Sequence, residues 1–128
     1  MTTVLIAEDD ADIRHTLRDL LADEGYATLE AGDGMAALDC LRQATHPLVV
    51  VLDITMPRLD GIGMMQQIQA DAALSTTHAF IVMTAKGRTL PLALVQQMQQ
   101  IHIQFLGKPF AIDDLLTAVS QAAQRLLA

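Results

Sequence analysis

The segment Leu48-Val49-Val50-Val51-Leu52 is apolar at every position, opens after Pro47 and stops at Asp53. A strand with one face in water alternates apolar and polar side chains. A run without alternation needs cover on both faces, as in the middle of a parallel sheet. That requirement calls for helices above and below the sheet, and the rest of the chain supplies them. Val4 to Ala7, Tyr26 to Glu30 (a weaker pattern), Ala79 to Met83 and Ile101 to Leu106 read as four more strands. Between and after them run helical stripes: Ile13, Leu17, Leu20 and Leu21; Met35, Leu38 and Leu41; Ile62, Met65 and Ile68; Leu92, Val95 and Met98; Leu115, Val119, Ala122 and Leu126. Gly25 falls where a helix C-terminal glycine is expected. Five strand–helix pairs with short connections predict an α/β fold, a doubly wound five-stranded parallel sheet, with residues 1–128 as one domain.

Charge narrows the function. The net charge is −7, and twelve of the 15 acidic residues fall within the first 60 positions. That balance argues against nucleic-acid binding, which needs Lys and Arg to neutralise phosphates, and against a basic membrane-surface helix. No apolar run approaches the roughly 18 residues of a membrane span. The start, Met1-Thr2-Thr3-Val4, lacks the basic opening of a signal peptide. The single cysteine, Cys40, excludes an internal disulfide and a cysteine zinc site, so a cytoplasmic setting is expected.

The chemistry gathers at the predicted strand ends. Glu8, Asp9 and Asp10 follow the first strand, Asp53 the third, Thr84 the fourth and Lys108 the fifth. In an open parallel sheet all strand C-termini lie on one edge, and ligands bind there. Carboxylates, a hydroxyl and an ammonium should therefore converge, although they are distant in sequence. Clustered carboxylates repel unless a cation or protons intervene, and oxygen-only ligation suits a hard ion such as Mg²⁺. A carboxylate beside that ion can attack phosphorus and form an aspartyl phosphate. Lys108 and Thr84 are the residue types that hold phosphoryl oxygens.

These residues stand in segments with a recognisable pattern: Val4-Leu5-Ile6-Ala7-Glu8-Asp9-Asp10, Val51-Leu52-Asp53-Ile54-Thr55-Met56-Pro57-Arg58-Leu59-Asp60-Gly61, Val82-Met83-Thr84-Ala85 and Phe105-Leu106-Gly107-Lys108-Pro109-Phe110. Over its whole length the chain resembles the CheY-like receiver domain of bacterial two-component response regulators. The resemblance implies the flavodoxin-like strand order 2-1-3-4-5. It implies Asp53 as phosphoacceptor, with Mg²⁺ (or Mn²⁺) held by Asp9, Asp53 and the backbone carbonyl of Thr55, and by Glu8 through water. Thr84 and Lys108 would bind the phosphoryl group, Thr84 and Phe105 would form the switch, and Lys108-Pro109 would be a cis peptide bond. The donor would be a sensor histidine kinase or a histidine phosphotransfer protein. The output would be a changed surface of helix four, strand five and helix five, read by a downstream protein. The chain itself would be a monomer or a weak phosphorylation-dependent dimer, a signalling module rather than an enzyme.

Several positions depart from that pattern. The stretch from Thr84 to Lys108 is longer than usual, and Gln99-Gln100-Ile101-His102 replaces the common Gly-Ala step. Phe105 replaces the commoner tyrosine and has no hydroxyl to donate. Ala111 stands where a helix-capping Ser, Thr or Asp is usual. Thr55 and Lys86 occupy positions that tune phosphoryl lifetime in the family. Two other functions fit the same fold. One is a phosphate-independent interaction module. The other is a Mg²⁺-dependent phosphatase with an Asp nucleophile, although Thr55 stands where the haloacid dehalogenase group wants a second acid. Asp10 is read as a cap for the first helix. His15, His46, His78 and His102 are read as surface or loop histidines, and Cys40 and the methionines as core. Met64 and Met65 are candidates for an added partner surface.

Overall fold

The computed structural model describes residues 2–54, 61–85 and 103–127, together with residues 92 and 96. Five parallel strands form one sheet: β1 (Thr3–Ala7), β2 (Ala27–Ala31), β3 (Leu48–Asp53), β4 (Ala79–Ala85) and β5 (Ile103–Lys108), in the order β2-β1-β3-β4-β5. The described helices are α1 (Ala11–Asp23), α2 (Gly34–Gln43), α3 (Gly61–Ala70), α4 (Ala72–Thr77) and α5 (Ile112–Leu127). This is the doubly wound, flavodoxin-like arrangement.

β3 lies at the centre, and all six of its residues are buried. Its side chains alternate between two cores. Val50 and Leu52 pack with Leu5, Phe80 and Val82 against Leu38 and Leu41 of α2 and Met64, Met65 and Ile68 of α3. Val49 and Val51 pack with Val4, Ile6 and Ile81 against Leu17 and Leu21 of α1 and Leu115 and Val119 of α5. The uninterrupted apolar run is thus two interleaved period-2 patterns, each facing its own helical layer. Burying each such side chain is worth about 1.5–3 kcal/mol. The edge strands β2 and β5 are only partly covered, and their sequences are correspondingly mixed.

Local signals account for the element boundaries. Asp10 caps α1, its side chain accepting from the backbone N–H groups of Asp12 and Ile13. Asp33 caps α2 by accepting from Ala36 N–H. α1 closes with Gly25 at φ +91°, a left-handed conformation that a side chain would strain. α5 starts after Ala111, whose carbonyl accepts from Asp114 and Leu115 but whose methyl offers no cap. Asp113 and Asp114 in the first turn complement the helix dipole instead.

One element is added to the expected set and three expectations are corrected. The segment after α3 is a separate short helix, α4, because the Asp71 side chain caps a new start by accepting from Ala73 and Leu74 N–H. Its six residues bury only Leu74, too little for a periodic stripe. Met64 and Met65 are fully buried, as their reading as core requires, and only the alternative of an added partner surface falls. Ile13 and Met35 are exposed and lie off the buried faces of their helices. The helical stripe through Leu92, Val95 and Met98 falls almost wholly outside the described residues. Leu92 itself is helical and 70% exposed.

The third correction is His78, which is buried just before β4 rather than solvated. Its Nδ1 accepts the Leu48 backbone N–H at 2.9 Å, tying the entries of β3 and β4 together. Burial lowers its pKa below the usual 6.5, nearby His46 adds to this, and a hydrogen bond to the Leu41 backbone opposes it. His78→Ala leaves a buried N–H without its acceptor and should cost about 1–3 kcal/mol, read as a lower urea midpoint. His78→Asn, which offers an acceptor oxygen, should recover part of that loss.

Candidate functional site

The sheet register builds the site. Ala7 pairs with Leu52, and Asp53 with Met83, so Glu8 leaves β1 abreast of Asp53 at the end of β3. Thr84 lies one residue past the Asp53 partner and pairs with Gly107, while Ala85 pairs with Lys108. Parallel strands of similar length therefore bring four sequence-distant segments to one edge. The Lys108-Pro109 peptide bond beside them is cis, as expected.

Lys108 Nζ donates to Asp53 Oδ2 at 3.1 Å and reaches Glu8 Oε2 at 3.5 Å. Carboxylate oxygens of Glu8, Asp9 and Asp53 all lie within 4.8 Å of one another. Glu8 and Asp53 are buried and Asp9 is exposed, so the pocket has a dry floor and a wet mouth. At such separations each ionised pair repels by about 3 kcal/mol or more for an effective dielectric near 20. There are three such pairs, and Lys108 lies close to only two of the acids.

The titration behaviour reflects this excess of negative charge. Burial, followed by the hydrogen bond and charge of Asp53, pushes the Glu8 carboxyl from 4.5 up to about 7, and Lys108 only partly offsets them. Burial pulls the Lys108 ammonium down, but the hydrogen bond and charge of Asp53, and then those of Glu8, outweigh it and raise its pKa. An all-oxygen cluster with repulsion left over is what a hard divalent cation relieves. Mg²⁺ and Mn²⁺ fit this donor set. Glu8, Asp9 and Asp53 are the described residues that could hold one.

The structure thus brings Glu8, Asp9, Asp53 and Lys108 together, with Thr84 on the neighbouring strand end. Phe105 lies on β5, paired with Val82, and is 43% exposed. Thr55, Lys86 and most of the lengthened segment before β5 lie outside the described residues. Asp10 serves α1 and not the cluster. One contributor escaped the sequence reading. Arg14, one turn into α1, donates from Nη1 to the Glu8 carbonyl at 2.9 Å. Its only sequence signal is a basic residue close behind the acidic triplet.

Comparison with known proteins shows the family and the fold. The family described as response regulator receiver domain matches residues 4–120. The transcriptional regulatory protein PdtaR of Mycobacterium tuberculosis is 38% identical over 124 residues, 95% of this chain, and the chain spans 57% of that relative's length. A probable chemotaxis protein CheY of Rhizobium etli is 35% identical over 118 residues, 91% of this chain and 88% of that protein. The crystal structure of a CheY-like response regulator receiver domain protein from Methanospirillum hungatei superposes with a TM-score of 0.84. It is 28% identical, covering 98% of this chain and 96% of that one.

Proposed function

Because the chain belongs to the response regulator receiver domain family, a family of signalling modules, we propose that it is a phosphorylation-controlled switch with Asp53 as phosphoacceptor. The observation that carries this reading is the Lys108 ammonium between Asp53 and Glu8, with the Asp9 carboxylate alongside. One acid is held ready at the end of the central strand, and the groups needed to receive a phosphoryl group surround it. Residues 1–128 act as one receiver domain. The donor is the phosphohistidine of a sensor kinase or phosphotransfer protein, and the output is contact with a downstream protein. No described helix is long and apolar enough to cross a membrane, and a cytoplasmic location suits a kinase-fed module.

In the reaction, a carboxylate oxygen of Asp53 attacks phosphorus. The P–O bond forms as the P–N bond of the phosphohistidine breaks and the imidazole departs. Glu8, Asp9, Asp53 and the Thr55 carbonyl would hold Mg²⁺, Glu8 through water. When bound, that ion supplies charge neutralisation and alignment of phosphoryl oxygens. Lys108 exchanges its carboxylate partners for a phosphoryl oxygen, and the Thr84 hydroxyl donates to another. Phe105 then turns inward into the space Thr84 leaves. Burying the exposed 43% of Phe105 is worth only about 1 kcal/mol. Reversing a 1:99 population takes about 5.5 kcal/mol. The charged contacts to the phosphoryl group therefore supply most of the bias, and the aromatic ring reports it.

The test is addition of beryllofluoride with Mg²⁺, a stand-in for the phosphoryl group, followed by amide NMR. Thr84, Phe105 and Lys108 should shift together in slow or intermediate exchange. No response from these residues would favour a phosphate-independent interaction module.

A further inference from the structure

Glu8 is tied to two consecutive residues of β2, directly to Ala31 and through Arg14 to Glu30, although that edge strand contributes no side chain to the pocket. Its N–H donates to the Ala31 carbonyl at 3.1 Å. Its carbonyl accepts from Arg14 Nη1 at 2.9 Å, and Arg14 Nε is paired with Glu30 Oε1 at 3.2 Å. The guanidinium fork thus spans α1, the end of β1 and the end of β2. Its fixed planar geometry lets one side chain satisfy both partners at once.

The peptide group gripped by Arg14 is the one joining Glu8 to Asp9. Its orientation sets the direction in which Asp9 leaves the strand, and so whether the Glu8 and Asp9 carboxylates reach the same point. The Arg14 side chain is only 17% exposed, so its contact with Glu30 is less screened than a surface pair. Arg18 and His15 also approach Glu30, at 3.5 and 3.4 Å, but both are more exposed.

We infer that Arg14, anchored by Glu30, is a positioning residue for the cation pocket: it fixes the Glu8–Asp9 peptide so that the two acids converge on one ion. This rests on the reading of that pocket as a Mg²⁺ site. Groups that orient metal ligands from behind typically change affinity by 10–100-fold when removed, and a single charged hydrogen bond to a carbonyl belongs at the lower end.

The experiment is a Mg²⁺ titration at pH 8, where Glu8 is mostly ionised, followed by the backbone amide shifts of Glu8 and Asp9. Wild type, Arg14→Gln, Arg14→Lys, Glu30→Gln and the Arg14→Gln/Glu30→Gln double variant are compared, each with its thermal midpoint recorded. Arg14→Gln should weaken Mg²⁺ binding about tenfold, and Glu30→Gln by about threefold. The double variant should be no weaker than Arg14→Gln, because both changes cut the same tie. Arg14→Lys keeps the charge but cannot span both partners, so it should resemble Arg14→Gln. Should Arg14→Gln fail to fold, Glu30→Gln, at a partly exposed position, carries the test alone. Affinities within twofold of wild type in these variants, or full affinity in Arg14→Lys, would overturn the positioning role. Absence of Mg²⁺-dependent shifts in the wild type would instead bring down the cation reading, and the inference with it.

Discussion

Asp53→Asn is expected to abolish phosphoryl incorporation completely while leaving the fold intact. The measurement is intact mass after incubation with acetyl phosphate and Mg²⁺. Wild type should gain one phosphoryl group and the variant none. The loss is total because an amide is no nucleophile toward phosphorus at neutral pH, and Glu8, the other buried acid beside Lys108, keeps its proton up to about pH 7 and lies farther from the ammonium, at 3.5 Å against 3.1 Å. The fold should survive because Asn is nearly isosteric and its oxygen still accepts from Lys108. Removing one charge from the cluster should also bring Glu8 closer to its ordinary 4.5, since Asp53 is a main cause of its shift after burial. Undiminished labelling of Asp53→Asn would remove Asp53 from the role of acceptor.

The second large effect is on stability and its pH dependence. The Glu8 carboxyl titrates at about 7 in the fold, against 4.5 unfolded. The fold therefore binds that proton more tightly than the unfolded chain does. The resulting stability is fully present below about pH 4.5 and is lost as pH rises through about 7. The loss is on the order of 3 kcal/mol, since each pKa unit is worth about 1.4 kcal/mol. His78 runs the other way. Its pKa is lowered from 6.5, so its contribution is present above pH 6.5 and is lost on acidification below it. Metal-free protein should accordingly lose urea stability between about pH 5 and pH 8. Mg²⁺ should reverse that loss by taking the place of the Glu8 proton. Glu8→Gln should gain about 2–3 kcal/mol at pH 8 and lose the Mg²⁺ response. A urea midpoint that stays flat between about pH 6.5 and pH 8 in wild type without metal, above the range where His78 acts, would refute the assignment to Glu8.

Much of this was legible in the chain, for identifiable reasons. The run from Leu48 to Leu52 required cover on both faces, and that requirement, with the helical stripes alternating with strands, led to a parallel sheet with two helical layers. Asp10 and Gly25 were legible because capping and left-handed turns are local. Asp53, Glu8, Asp9 and Lys108 could be grouped because parallel topology sends every strand end to one edge. What escaped depended on contacts without a local signature. His78 looked like a loop residue, since its partner, the Leu48 N–H, is thirty positions away. Short α4 buries one side chain, so no stripe betrayed it. Met64 and Met65 were readable as core, but docking α3 on the sheet was needed to dismiss the alternative of a partner surface.

Residue order by itself determined the fold class, the strand-end location of the chemistry and the residue types available there. Hydrophobic periodicity and the direction of a parallel sheet follow from covalent sequence and short-range geometry. Only the tertiary structure decided how charge is distributed within the pocket. It placed Lys108 between Asp53 and Glu8, buried Glu8 deeply enough to hold its proton near neutrality, and ran Arg14 behind the Glu8–Asp9 peptide to Glu30. Electrostatic interaction depends on separations of a few ångströms and on burial, and both are set by packing between segments that the chain order keeps far apart.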